Sequence, residues 1–88
     1  MKQGDLVYLV SVSSHSMLEI SRAELLNSPE GREFASLRIK ELLYASPNVK
    51  GFALKAGDFS KTHPDNLHKT LCEAKQFIIN RLFWWYSR

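Results

Sequence analysis

His68 and Cys72 stand four residues apart, with His63 and the carboxylates of Asp58 and Asp65 nearby in the chain. On a helix, residues at that spacing meet, so the group has the residue types of a metal site or a thiolate–imidazole nucleophile pair. The pattern argues against both. Zinc sites use paired ligands at CxxC- or HxxxH-type spacing, and Cys72 is the only cysteine. A nucleophilic cysteine also needs an oxyanion-stabilising turn, and no glycine-rich stretch precedes it. Cys72 therefore reads as a small hydrophobe beside a surface histidine. No catalytic residue, metal ligand or cofactor-binding residue is assigned from the sequence.

Two further groups could do chemistry. Ser13-Ser14-His15-Ser16 follows an apolar, β-branched run, the position where α/β proteins place ligand loops. Asp58 follows a second such run. If the two runs are parallel strands, His15 and Asp58 meet at one sheet edge, the geometry of a small hydrolase or transferase. The basic residues are unevenly spread. Residues 1–44 carry five basic and six acidic side chains, net −1, and residues 45–88 carry seven and three, net +4. That bias permits phosphate contact through Lys69, Lys75 and Arg81, and excludes the acidic strategy of a DNA mimic. On a helix these three point to different sides, and no nucleic-acid motif accompanies them.

Phe83-Trp84-Trp85-Tyr86 holds four of the ten aromatic residues. The stretch from Thr62 to Tyr86 reads as one long helix: Thr62 can cap it, Pro64 suits the first turn, and Asp65 suits its positive end. Leu67, Leu71, Ala74, Ile78, Leu82 and Trp85 recur on one stripe, and Asn66, Lys69, Glu73, Gln76 and Asn80 on the opposite one. The polar stripe is lost at Phe83 and Trp84. Such a helix is roughly 37 Å long, against a domain diameter of roughly 31 Å. Its last turn is expected to overhang and supply a contact surface formed by Ile79, Phe83, Trp84, Trp85 and Tyr86.

The elements that must position these residues read as follows. Leu6–Val12 alternates as a strand buried on both sides at its start, with Leu6, Tyr8, Val10 and Val12 on one face and Val7 and Leu9 on the other. Met17–Ile20 is a short second strand or a lead-in. Ser21-Arg22-Ala23-Glu24 fits a capping box, predicting a short helix to about Asn27. Ser28-Pro29-Glu30 restarts a helix to about Ala45, with Phe34, Ala35, Ile39, Leu42 and Leu43 as its core face and Leu37 in a smaller patch with Tyr44. Val49–Ala56 alternates as a strand, turned by Gly57-Asp58. The expectation is an α/β (α+β) fold in β-α(α)-β-α order: two or three strands, parallel by right-handed crossover, packed by two to three helices.

At 88 residues and 44% hydrophobic content, residues 1–88 form one compact domain able to fold unaided. One cysteine excludes an internal disulfide and points to a reducing cytoplasm. No signal peptide is visible, and the apolar C-terminus is too short and interrupted to span a bilayer. The reading is a small non-enzymatic regulator, an inhibitor of a larger machine being one form, that binds a protein partner or forms a homodimer through its aromatic C-terminal helix. It uses no cofactor and no membrane. A nucleic-acid-binding accessory protein using the basic C-terminal half is the alternative, and the small hydrolase or transferase comes third.

Overall fold

A computed structural model describes residues 1–12, 18–31, 33–45 and 55–86, with the backbone alone for residues 12, 18, 45 and 81–86. The chain passes through β1 (Leu6–Val12), β2 (Leu18–Leu25), β3 (Ala35–Ala45), β4 (Phe59–Thr62), a 3-10 turn at Pro64–Asn66, β5 (Leu67–His68) and one helix, α1 (Leu71–Tyr86). Among the described residues every pairing is antiparallel, and the strands lie in the order β4-β3-β2-β1-β5. The expected α/β architecture is overturned. Among the described residues the fold is mostly β, with five strands where two or three were expected, one helix where two to three were expected, and no parallel pair.

Both helices expected between Ser21 and Ala45 are strands, and the reason lies in what their side chains meet. On β2, Ser21, Ala23 and Leu25 are buried, while Arg22 and Glu24 between them are only half-buried. That is period two, and the Ser21–Glu24 match to a capping box is accidental. On β3, Ala35, Leu37 and Ile39 are buried and alternate with Ser36, Arg38 and Lys40. Further along, the alternation is broken by two bulges against β2. Arg22 faces Glu41 while Ala23 faces Ile39, and Ile20 faces Tyr44 while Ser21 faces Leu42, so Lys40 and Leu43 are the extra residues. These insertions shift the apolar pattern from strand-like to helix-like spacing, which is why Ile39, Leu42 and Leu43 mimic a helical face. Phe34, expected in the core, is exposed.

The sheet cannot be flat. β4 and β5 form its opposite edges, yet only residues 63–66 separate them in the chain. Two extended steps and three steps of 3-10 turn reach roughly 13 Å, whereas four strand spacings in a flat sheet amount to about 19 Å. The strands therefore curl around a concave side. It holds Val7, Leu9, Ala23, Leu25, Ala35, Leu37, Ile39 and Leu67, with Met1 packed against them. On the convex side Val10 and Ile20 meet Ala74 and Ile78 of α1, flanked by Tyr8, Leu71 and Phe77. The alternation expected for Leu6–Val12 is observed, with Val7 and Leu9 on one face and Tyr8 and Val10 on the other, but the burial expected on both sides at its start is not: Leu6 is 56% exposed, and among the described residues both faces are buried only at Leu9 and Val10.

The long helix from Thr62 is also corrected. Pro64 does start a turn, capped by His63, whose Nδ1 accepts from the Asp65 backbone N–H at 3.2 Å. It ends after Asn66, because Leu67 and His68 pair with β1 at Leu9 and Tyr8. The helix begins at Leu71, where Thr70 Oγ1 accepts from the Glu73 N–H at 3.1 Å and the Glu73 carboxylate accepts from the Lys69 N–H at 3.3 Å. Its 16 residues measure about 24 Å, so the overhang argued from a 37 Å helix loses its premise. Of the strand expected at Val49–Ala56, residues 49–54 lie outside the described residues, and Ala56 is in a turn. Gly57 shapes that turn at φ +89°, a conformation open to glycine.

Candidate functional site

α1 presents two unlike sides. Ala74 and Ile78 are buried against the sheet, while Cys72, Lys75, Gln76, Ile79 and Asn80 are exposed. Along the outer line the first turns are polar, and Gln76 donates to Asn80 at 3.0 Å. Ile79 then breaks the polarity with 56% of its surface exposed. Helical spacing puts positions 83 and 86 on the same line as 79, and position 85 on the inner line with 74 and 78. The side chains of Phe83, Trp84, Trp85 and Tyr86 lie outside what is described, so Ile79 is the member of the expected contact set whose exposure is observed.

His68 is on β5 and Cys72 on α1, so the expected helical i, i+4 pairing does not exist. His68 instead stacks on Phe77, ring centroids 4.9 Å apart and planes tilted by 47°, and its Nε2 is buried without a hydrogen-bond partner. Burial pushes its pKa below the ordinary 6.5, and the Glu73 carboxylate pulls partly the other way. The unfolded chain then takes up this proton more readily than the folded one. Stability from neutral His68 is complete above 6.5 and falls as pH drops from there toward the lowered folded value. The melting temperature is expected to fall between about pH 7.5 and 5.5, and to fall less in His68→Gln. Equal falls in both proteins refute the assignment.

The strand-end site expected from His15 and Asp58 presumes that Leu6–Val12 and Val49–Ala56 pair in parallel; every described pairing is antiparallel, and residues 49–54 lie outside the described residues. Asp58 sits in the turn before β4, where its carboxylate accepts from the Lys55 backbone N–H at 2.8 Å, and His15 lies outside the described residues. Lys69 is not on the helix. It lines a shallow hollow of about 310 Å³ with Met1, Lys2, Asp5, Leu6 and Val7. Lys75 is exposed on α1, and the side chain of Arg81 is outside the described set. Sequence reasoning passed over two buried polar residues, Glu19 and Ser21. The Ser21 hydroxyl has no hydrogen-bond partner among the described residues. Among the described residues no three of His, Cys, Asp and Glu come together as a metal site, and no helix is long and apolar enough to cross a membrane.

The described residues thus define a curled antiparallel sheet carrying one helix, whose outer line turns apolar at Ile79. No family model matches the chain, and no curated protein or solved structure matches it either.

Proposed function

We propose that the protein acts by binding another protein, a partner or a second copy of itself, through the outer line of α1. The observation that carries this reading is the exposure of Ile79 at the point where that line changes from polar to apolar. Helical spacing extends the line to Phe83 and Tyr86, and Trp84 and Trp85 complete an aromatic end of the kind that dominates interface energetics. A small regulator or inhibitor working in the cytoplasm is the form this takes, and the single, exposed Cys72 fits a reducing compartment. It uses no cofactor and performs no catalysis.

The test is mass in solution by light scattering across a concentration range, with and without candidate partners. Wild type is expected to exceed 10.1 kDa, the mass of one chain, alone or in complex. Ile79→Glu is expected to weaken that association at least tenfold, about 1.4 kcal/mol, with an unchanged circular dichroism spectrum. Trp84→Ala combined with Trp85→Ala does the same. A double variant that unfolds assigns the closing aromatics to the chain's own core and sinks the proposal.

A further inference from the structure

The convex face of the sheet is only partly covered. Among the described residues α1 lies chiefly over β1 and β5, and no described element lies over β3 and β4 at the far edge. On that part Arg38 faces Phe59 and Ser36 faces Lys61 across the two strands, and Phe34, just before β3, continues the outward row of Ser36 and Arg38. Phe59 is 68% exposed and Phe34 54%. The Arg38 guanidinium lies 5.2 Å from the centre of the Phe59 ring. Arg22 and Lys40 on the neighbouring part of the face are neutralised by Glu41 at 2.8 Å and Glu24 at 3.1 Å. Arg38 and Lys61 have no carboxylate partner among the described residues. Two exposed aromatic rings therefore stand apart by four strand positions, about 13 Å, with Arg38 over one face of Phe59 and Lys61 between the two rings.

We propose that this face binds a single-stranded nucleic acid, with bases stacked on Phe59 and Phe34 and phosphates held by Arg38 and Lys61. The charge left over after the two ion pairs complements a polyanion. Separated single rings suit unstacked bases, each of which offers a flat π face whatever its sequence. A lipid surface would instead be met by contiguous apolar area, and here the two rings are divided by Ser36, Arg38 and Lys61. A duplex keeps its bases stacked and out of reach of such rings. The surface differs from the outer line of α1, so this inference and the protein-binding reading stand or fall separately.

The experiment is fluorescence anisotropy of the full chain with labelled dodecamers of thymidine and of uridine. Neutralising two phosphates on a single strand predicts binding roughly sevenfold weaker at about 200 mM salt than at about 50 mM. Phe59→Ala is expected to weaken binding about tenfold or more, and Phe59→Trp to retain it. Lys61→Gln should remove about half of the salt dependence. Neither residue is buried, so circular dichroism should not change. Absent or salt-insensitive binding overturns the proposal, as does full affinity in Phe59→Ala or equal affinity for a duplex. So does loss of attachment to phosphatidylserine vesicles in these variants without any oligonucleotide binding, which would make the face a membrane-surface site.

Discussion

Leu37→Ala is expected to destabilise the protein by about 2–5 kcal/mol, measured by urea denaturation. A chain of 88 residues has a total stability of roughly 4–13 kcal/mol, so this one truncation removes a large share of it. Leu37 has no exposed surface and lies inside the curled sheet among Val7, Leu9, Leu25 and Ile39. Removing its side chain leaves a void lined by strands that are tied to their neighbours and cannot collapse inward. The control is three residues away. Phe34→Ala, the loss of a larger but exposed side chain, should change stability by no more than about 0.5 kcal/mol. A helix over this segment predicts the reverse, because it places Phe34 in the core and Leu37 on a minor patch. If Phe34→Ala proves the more damaging of the two, the strand register is wrong.

Ala74→Glu is expected to cost about 3 kcal/mol or more, because it drives an unpaired carboxylate into the seam between helix and sheet. Ala74 has no exposed surface and packs with Val10, Ile20 and Ile78. Those neighbours are aliphatic, and the small alanine is what lets the helix approach the strands. Lys75→Glu, the adjacent exposed position, should be nearly silent. Hydrogen exchange should show residues 71–80 losing protection in Ala74→Glu before the strands do, because α1 rests on the sheet while β1, β2 and β3 bond one another. Wild-type protection of the helix in Ala74→Glu would mean that α1 is held by something other than this seam.

Some of this was legible in the residues. The alternation of Leu6–Val12 states which side chains share a face, and Val7 with Leu9 and Tyr8 with Val10 are placed as it says. The turn at Gly57-Asp58 is where the glycine requires it, and the Leu71, Ala74, Ile78 stripe is the inner face of α1. The start of that helix was legible too but was passed over. Thr70-Leu71-Cys72-Glu73 has the spacing of a reciprocal cap, and Pro64, which suits a single 3-10 turn equally well, drew the boundary eight residues early. Nothing local could distinguish Thr70–Glu73 from Ser21–Glu24, since the two have the same pattern. Glu73 reaches back to a backbone N–H, whereas Glu24 reaches across the sheet to Lys40 at 3.1 Å.

For the candidate site the balance is similar. The sequence marked the aromatic end of α1 and the basic half of the chain. It could not show that Phe59 and Arg38, 21 positions apart in the chain, share one face, because that follows from strand pairing. It also could not show that His68 and Cys72 belong to different elements.

By itself, then, the sequence determined what a single stretch can decide from its own periodicity: which side chains of the first strand share a face, and a helix with one apolar stripe. Only the tertiary structure decided that residues 18–45 are strands. Helix formation answers to neighbours three and four residues away, which any reader of the chain can see. Strand formation answers to the side chains and ladder groups opposite, and these come from elsewhere in the chain. With Lys40 and Leu43 bulged out of register, β3 shows a helical spacing that only its pairing with β2 overrules.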